Sequence, residues 1–177
     1  MKGSSAELRL PTVAVPVEFV LGAGPARRGE VYVGDAARHG RADLVVDVLA
    51  TLSGAAFVPM RIDGQVHLVG VAALAWVRLD DAAAAAPADA ASDAVPAPVE
   101  RPEPSEVLTL FDHKQDVEIE LVGGAVVGGS ILYTSPADRQ RAADHLNDGP
   151  RFLRLWSARG PYLINKQHIA LVREVAR

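Results

Sequence analysis

The sequence predicts a mainly β protein. It is made of two small, strongly bent, five-stranded antiparallel barrels, each with a short helix inserted between strands two and three. Three observations carry that prediction. The first is an internal repeat. Val17-Glu18-Phe19-Val20-Leu21 matches Val117-Glu118-Ile119-Glu120-Leu121 at an offset of 100, and Gly24/Gly124, Gly29/Gly129 and Val31/Ile131 keep that offset. Farther on the offset is 95, and Phe57 to Leu79 runs beside Phe152 to Glu174 without a gap. Leu68/Leu163, Ala75/Ala170, Val77/Val172 and Arg78/Arg173 are identical pairs there. A repeat fixes architecture before any single residue is weighed. The second observation is short runs of alternating apolar and polar residues bounded by Gly turns, the pattern of half-buried strands. The third is an Ala/Pro-rich stretch between the copies.

The 177 residues thus divide into a first domain over 1–80, a linker over 81–105 and a second domain over 106–177. Each domain is near the size at which one core is just adequate, so packing the copies together or into an oligomer is favoured.

In copy one, strands are expected near 15–21, 26–33, 57–62, 66–70 and 74–79, with a helix over Asp43 to Leu52. Thr12 to Gly24 is apolar but alternates and carries Pro16 and Glu18, which marks a strand and not a membrane span. Asp80 to Ser105 carries prolines at 87, 96, 98, 102 and 104, scattered acids and no aromatic residue. Proline at that density prevents a long helix, and the stretch lacks the apolar surface to order itself. An acidic, disordered linker is therefore expected.

Copy two is clearer. Val117, Ile119 and Leu121 alternate with Glu118 and Glu120 as a first strand, and Gly123-Gly124 makes a hairpin turn. Ala125 to Tyr133 is the return strand, where Gly128-Gly129 suggests a bulge or sharp bend. Asp138 to Leu146 fits a short helix ended by Asn147-Asp148-Gly149-Pro150. Strands follow at Phe152 to Trp156, Tyr162 to Ile164 and Ala170 to Val175, with one helical turn at Asn165 to His168. Ten short strands with tight turns point to small bent barrels.

Composition narrows the function. There is no cysteine, so disulfide and thiolate chemistry are excluded, which suits a cytoplasmic protein. Net charge is −4. Residues 1–80 hold eight basic and eight acidic side chains and residues 106–177 nine of each, so the excess acid lies in the linker. The strongly basic footprint of a nucleic-acid binder is missing at domain level, although a local patch stays open.

The order of elements resembles the Sm-like family. Val117-x-Ile119-x-Leu121-x-x-Gly124-x-x-x-x-Gly129-x-Ile131 is similar to the first Sm motif, with the spacing seen in the bacterial RNA chaperone Hfq. Leu163-Ile164-Asn165-Lys166-Gln167-His168-Ile169-Ala170-Leu171-Val172 is similar to the second. The run Arg141-x-x-Asp144-x-Leu146-Asn147, then Phe152-x-x-Leu155, then Asn165-Lys166, is similar to uncharacterised Sm-like domains of bacteria. Where Hfq-like proteins carry Tyr-Lys-His, this chain has Asn165, Lys166 and Gln167, and copy one has Gly70, Val71 and Ala72. The resemblance implies ring-forming domains that pair strand four of one with strand five of the next, and a turn at 165–168 that faces a pore and contacts RNA.

On that reading Lys166 would contact phosphate, Asn165 and Gln167 would read base edges and His168 would stack. The plainer reading is a polar turn capping its own backbone. Arg139, Arg141, Arg151, Arg154 and Arg159 give copy two a local basic excess, and Arg141 and Arg151 join the 165–168 turn as candidate RNA-binding residues. Interleaved Asp138, Asp144 and Asp148 equally fit a solvated surface with ion pairs. Trp76 and Trp156 read as core or interface residues in so small a fold. Arg78 and Arg173 end the last strand of each copy, where a charge guards an edge or pairs with a neighbouring chain.

No catalytic constellation emerges. Asp144 and His145 are adjacent on the expected helix and point about 100° apart. The five histidines lack metal-ligand spacing, and Gly22-x-Gly24 precedes a strand, not a helix. The expectation is a non-enzymatic interaction or scaffold protein without cofactor or metal, assembling with itself or another protein through barrel edges. The alternative is single-stranded RNA binding through copy two.

Overall fold

The computed structural model describes residues 12–34, 41–79, 113–134, 142–147 and 149–175. The linker over 81–105, and Arg139 and Arg141, lie outside them. The described residues are mainly β, in one sheet of ten antiparallel strands.

Copy one contributes β1 (Thr12–Leu21), β2 (Ala26–Gly34), α1 (Arg41–Gly54), β3 (Phe57–Ile62), β4 (Gln65–Gly70) and β5 (Leu74–Leu79). Copy two contributes β6 (His113–Leu121), β7 (Val126–Tyr133), α2 (Ala142–Asn147), β8 (Phe152–Ser157), β9 (Gly160–Asn165) and β10 (Ile169–Glu174). A single 3₁₀ turn, Val71–Ala73, precedes β5, and its counterpart Lys166–His168 precedes β10. The expected strands are met within a few residues because each alternates with period two and is closed by a local turn.

The sheet runs β10-β6-β7-β8-β9-β5-β1-β2-β3-β4. Each copy thus repeats one order: its fifth strand, then its first to fourth. The copies join where β5 of the first pairs with β9 of the second, with Trp76 opposite Ile164, Val77 opposite Leu163 and Arg78 opposite Tyr162. Two separate, strongly bent five-stranded barrels were expected. The sheet is instead open, with β4 and β10 at its ends.

The repeat extends to hydrogen bonds. Gly22 N donates to Ala73 O and Val122 N to His168 O, while Val71 N donates to Ala56 O and Lys166 N to Arg151 O. These bonds tie the 3₁₀ turn of each copy to the turn after its first strand and to the start of its third.

No bulge occurs at Gly128-Gly129, since β6 and β7 stay in register from His113/Tyr133 to Glu120/Val126. The irregularities lie instead where the first and fifth strands meet, between Val20 and Leu21 in copy one and between Ile169 and Leu171 in copy two. The second glycine of the pair has a different reason. A Cβ on Gly129 would stand 2.5 Å from Trp156 O, and one on Gly29 would stand 2.6 Å from Arg61 O. The third strand of each copy crosses too close for any side chain there.

Two apolar clusters form the core, and each draws residues from both copies. Phe152 and Leu163 of copy two pack in the cluster of Val17, Phe19, Val31, Met60 and Leu74. Val20, Ala75 and Trp76 of copy one pack in the cluster of Val117, Ile119, Ile131 and Leu155. Helix α1 buries Val45, Val48 and Leu52, one helical stripe, in the first cluster.

Candidate interaction surface

The polar residues singled out by the sequence gather at the seam between the copies. Asn165 ends β9 and is fully buried. Its Nδ2 donates to Leu74 O at 2.9 Å and, at a longer 3.5 Å, to Val71 O. Its Oδ1 accepts from Gln167 N at 3.1 Å. The side chain therefore caps its own 3₁₀ turn with one end and clamps the backbone of copy one with the other. His168 acts in the same direction: Nε2 lies 2.9 Å from Ala72 O, and since a carbonyl only accepts, that nitrogen carries the proton. Two of the four residues expected to contact RNA thus face copy one.

Lys166 is half-buried and Gln167 is exposed. Arg151 is exposed, and the bond from Lys166 N to its carbonyl brings it beside Lys166. Arg141 lies outside the described residues, as do the side chains of Asp144 and His145. Among the described residues, no group of three or more His, Asp or Glu is placed to hold a metal ion. No helix among them is long and apolar enough to cross a membrane.

Arg78 and Arg173 occupy matched positions and make matched bonds. Arg78 Nη2 lies 2.6 Å from Glu18 Oε2, and Arg173 Nη1 lies 2.9 Å from Glu118 Oε2. Both partners were visible in the repeat as Glu18/Glu118 and Arg78/Arg173. Their pairing was not, because it joins the first strand to the fifth. The two bridges differ in setting. At the seam, Arg78 also donates from Nη1 to Arg159 O at 3.1 Å and lies 6.0 Å over the Tyr162 ring. Its side chain is 19% exposed, against 66% for Arg173. Arg78 stands inside the sheet and Arg173 on its open end.

Trp76 is buried at the seam, edge-to-face with Tyr162 at 5.3 Å and 61°. An open, apolar notch of about 220 Å³ lies beside it, lined by Val20, Gly22, Gly24, Leu121 and Gly123 among others. It offers a ligand almost no polar group, so it lacks the few convergent donors and acceptors that fix a bound small molecule.

Among the described residues, the outer edges of β10 and β4 have no strand neighbour. On β4 and the adjacent β3, Val66, Leu68 and Phe57 are exposed large apolar residues, and Leu171 on β10 and Val175 beyond it are exposed as well. Sequence reasoning missed Phe57 and Leu68 because alternation cannot tell an open edge from a covered one.

Comparison of the chain with protein-family models, with curated proteins and with solved structures returned no match.

Proposed function

We propose that the chain is a non-enzymatic scaffold of two Sm-like units that assembles by strand pairing at its two open sheet edges. The observation that carries the reading is the seam: one fourth-strand-to-fifth-strand junction is already closed inside the chain, between β9 and β5. The complementary pair of edges, β4 and β10, pairs with no further strand among the described residues. Exposed backbone donors and acceptors beside exposed apolar side chains template a further strand. The strand order in each half and the 3₁₀ turn before each last strand support the Sm-like assignment. Light scattering of the full chain over a concentration series tests the reading. A mass rising to a multiple of the chain mass is expected. A single-chain mass at high micromolar concentration refutes it.

A second reading, single-stranded RNA binding through copy two, is favoured by one contact, the hydrogen bond that sets Arg151 beside Lys166. Two basic residues joined through their backbones would suit a phosphate backbone. Salt-dependent affinity for a single-stranded oligonucleotide, reduced in Lys166→Ala, is expected on this reading. No binding at low salt removes it.

A further inference from the structure

The closed seam is a template for the open edges. Residues Phe57–Leu79 and Phe152–Glu174 correspond at an offset of 95. Every residue that copy two presents to the seam therefore has a counterpart on the uncovered β3–β4 edge, and every residue that β5 presents has one on β10. The apolar counterparts Phe57, Leu68 and Leu171 stay apolar and differ in burial. Phe152 is 1% exposed and its counterpart Phe57 is 64% exposed; Leu163 is fully buried and Leu68 is 74% exposed. Phe152 and Leu163 are the two residues that copy two inserts into the core of copy one. On the other side, Trp76 is buried and its counterpart Leu171 is exposed. Phe57, Leu68 and Leu171 thus match residues that the other copy already covers within the chain.

One element is not repeated. Gly70 corresponds to Asn165, and the backbone there is nearly the same, φ −66° and ψ 119° against φ −70° and ψ 117°. Glycine cannot supply the amide clamp. Ala73, the counterpart of His168, cannot supply the imidazole bond. The seam within the chain also has a tether, since both strands belong to one polypeptide, which raises their effective concentration.

Building on edge assembly as proposed above, we infer that β10 pairs antiparallel with β4 of a second copy in one register. Leu171 stands opposite Val69, Val172 opposite Leu68 and Arg173 opposite His67. Phe57 and Leu68 enter the copy-two core of the neighbour. Lacking the Asn165 and His168 bonds, this junction opens and closes while the seam within the chain stays shut. The contact is head-to-tail, because each chain offers one β10 and one β4.

The absence of cysteine makes the register directly testable. Cα atoms directly opposite in an antiparallel pair are about 4.5–5.5 Å apart, within disulfide reach. Mixed under mild oxidant, full-length His67→Cys and Arg173→Cys chains are expected to form a 67–173 disulfide. Gln65→Cys with Arg173→Cys, two residues out of register, is expected not to. Leu68→Arg and Leu171→Arg, at exposed positions, are each expected to yield single chains with an unchanged circular dichroism spectrum. Mixing those two variants is expected to give a dimer and nothing larger. Gly70→Asn restores the clamp without crowding, since a Cβ there meets only Phe57 ring carbons at 3.5 and 3.8 Å. It is expected to tighten assembly about tenfold. A wild-type chain that stays single at high micromolar concentration overturns edge assembly altogether. A wild-type chain that assembles but cross-links at 65–173, or whose two arginine variants fail to pair, overturns the register alone. Unchanged assembly in Gly70→Asn overturns the account of the missing clamp.

Discussion

Replacing Asn165 by alanine removes the polar clamp between the copies, and its cost is readable from the geometry. Two hydrogen bonds have good lengths, 2.9 Å to Leu74 O and 3.1 Å from Gln167 N, while the 3.5 Å approach to Val71 O adds little. Each good bond contributes about 0.5–1.5 kcal/mol net, and a buried group that loses its partner costs about 1–3 kcal/mol. The side chain is fully buried, so water does not replace it cheaply. Asn165→Ala is therefore expected to destabilise the chain by about 2–3 kcal/mol. For a chain of this length that is a fall of roughly 5–10 °C in Tm. Asn165→Asp keeps the oxygen that caps Gln167 N but turns an acceptor toward Leu74 O, and it is expected to cost at least as much as alanine. Urea unfolding followed by circular dichroism measures both, with the m-value held constant across variants. A loss under about 0.5 kcal/mol in Asn165→Ala would refute the clamp, because a buried side chain with two sound bonds does not leave so cheaply.

Three further predictions use the repeat as an internal control. Gly129→Ala and Gly29→Ala push a Cβ to 2.5 and 2.6 Å from a backbone oxygen and are expected to cost about 1–3 kcal/mol or more, while Gly128→Ala, with open space around it, stays near wild type in urea unfolding. Phe152→Ala empties a buried site in the core of copy one and is expected to cost about 3–5 kcal/mol. Phe57→Ala at the matched exposed site changes single-chain stability by less than about 0.5 kcal/mol. Arg78→Ala, which loses the Glu18 bridge and the bond to Arg159 O, is expected to lower Tm more than Arg173→Ala, whose exposed bridge contributes about 0–1 kcal/mol.

Much of the fold was legible because its signals are local. The strands at 57–62 and 74–79 and the single turn at 165–168 lie where alternation and turn residues put them, since backbone pairing needs period-two burial and Gly, Pro or polar residues at its ends. The repeat also announced two copies of one unit. The bulge expected at Gly128-Gly129 was misplaced, because a glycine required by a crossing strand reads the same in sequence as one required by a bend. At Asn165 the plainer reading, a turn capping its own backbone, matches the bond from Gln167 N, but the clamp on copy one was not legible. Asn165 resembled a ligand-facing residue, yet its donor meets a carbonyl 91 positions away.

The sequence by itself determined two matched sets of strands and their turns, consequences of residue type and short-range spacing. Tertiary structure alone decided that β5 pairs with β9, that the described sheet is open at β4 and β10, and that Asn165 bonds across the seam while its counterpart Gly70 has no side chain to do so. Those outcomes depend on which of several similar edges meet. Edges built from the same alternating residues carry the same local pattern, and only burial against a neighbour tells a covered one from an open one.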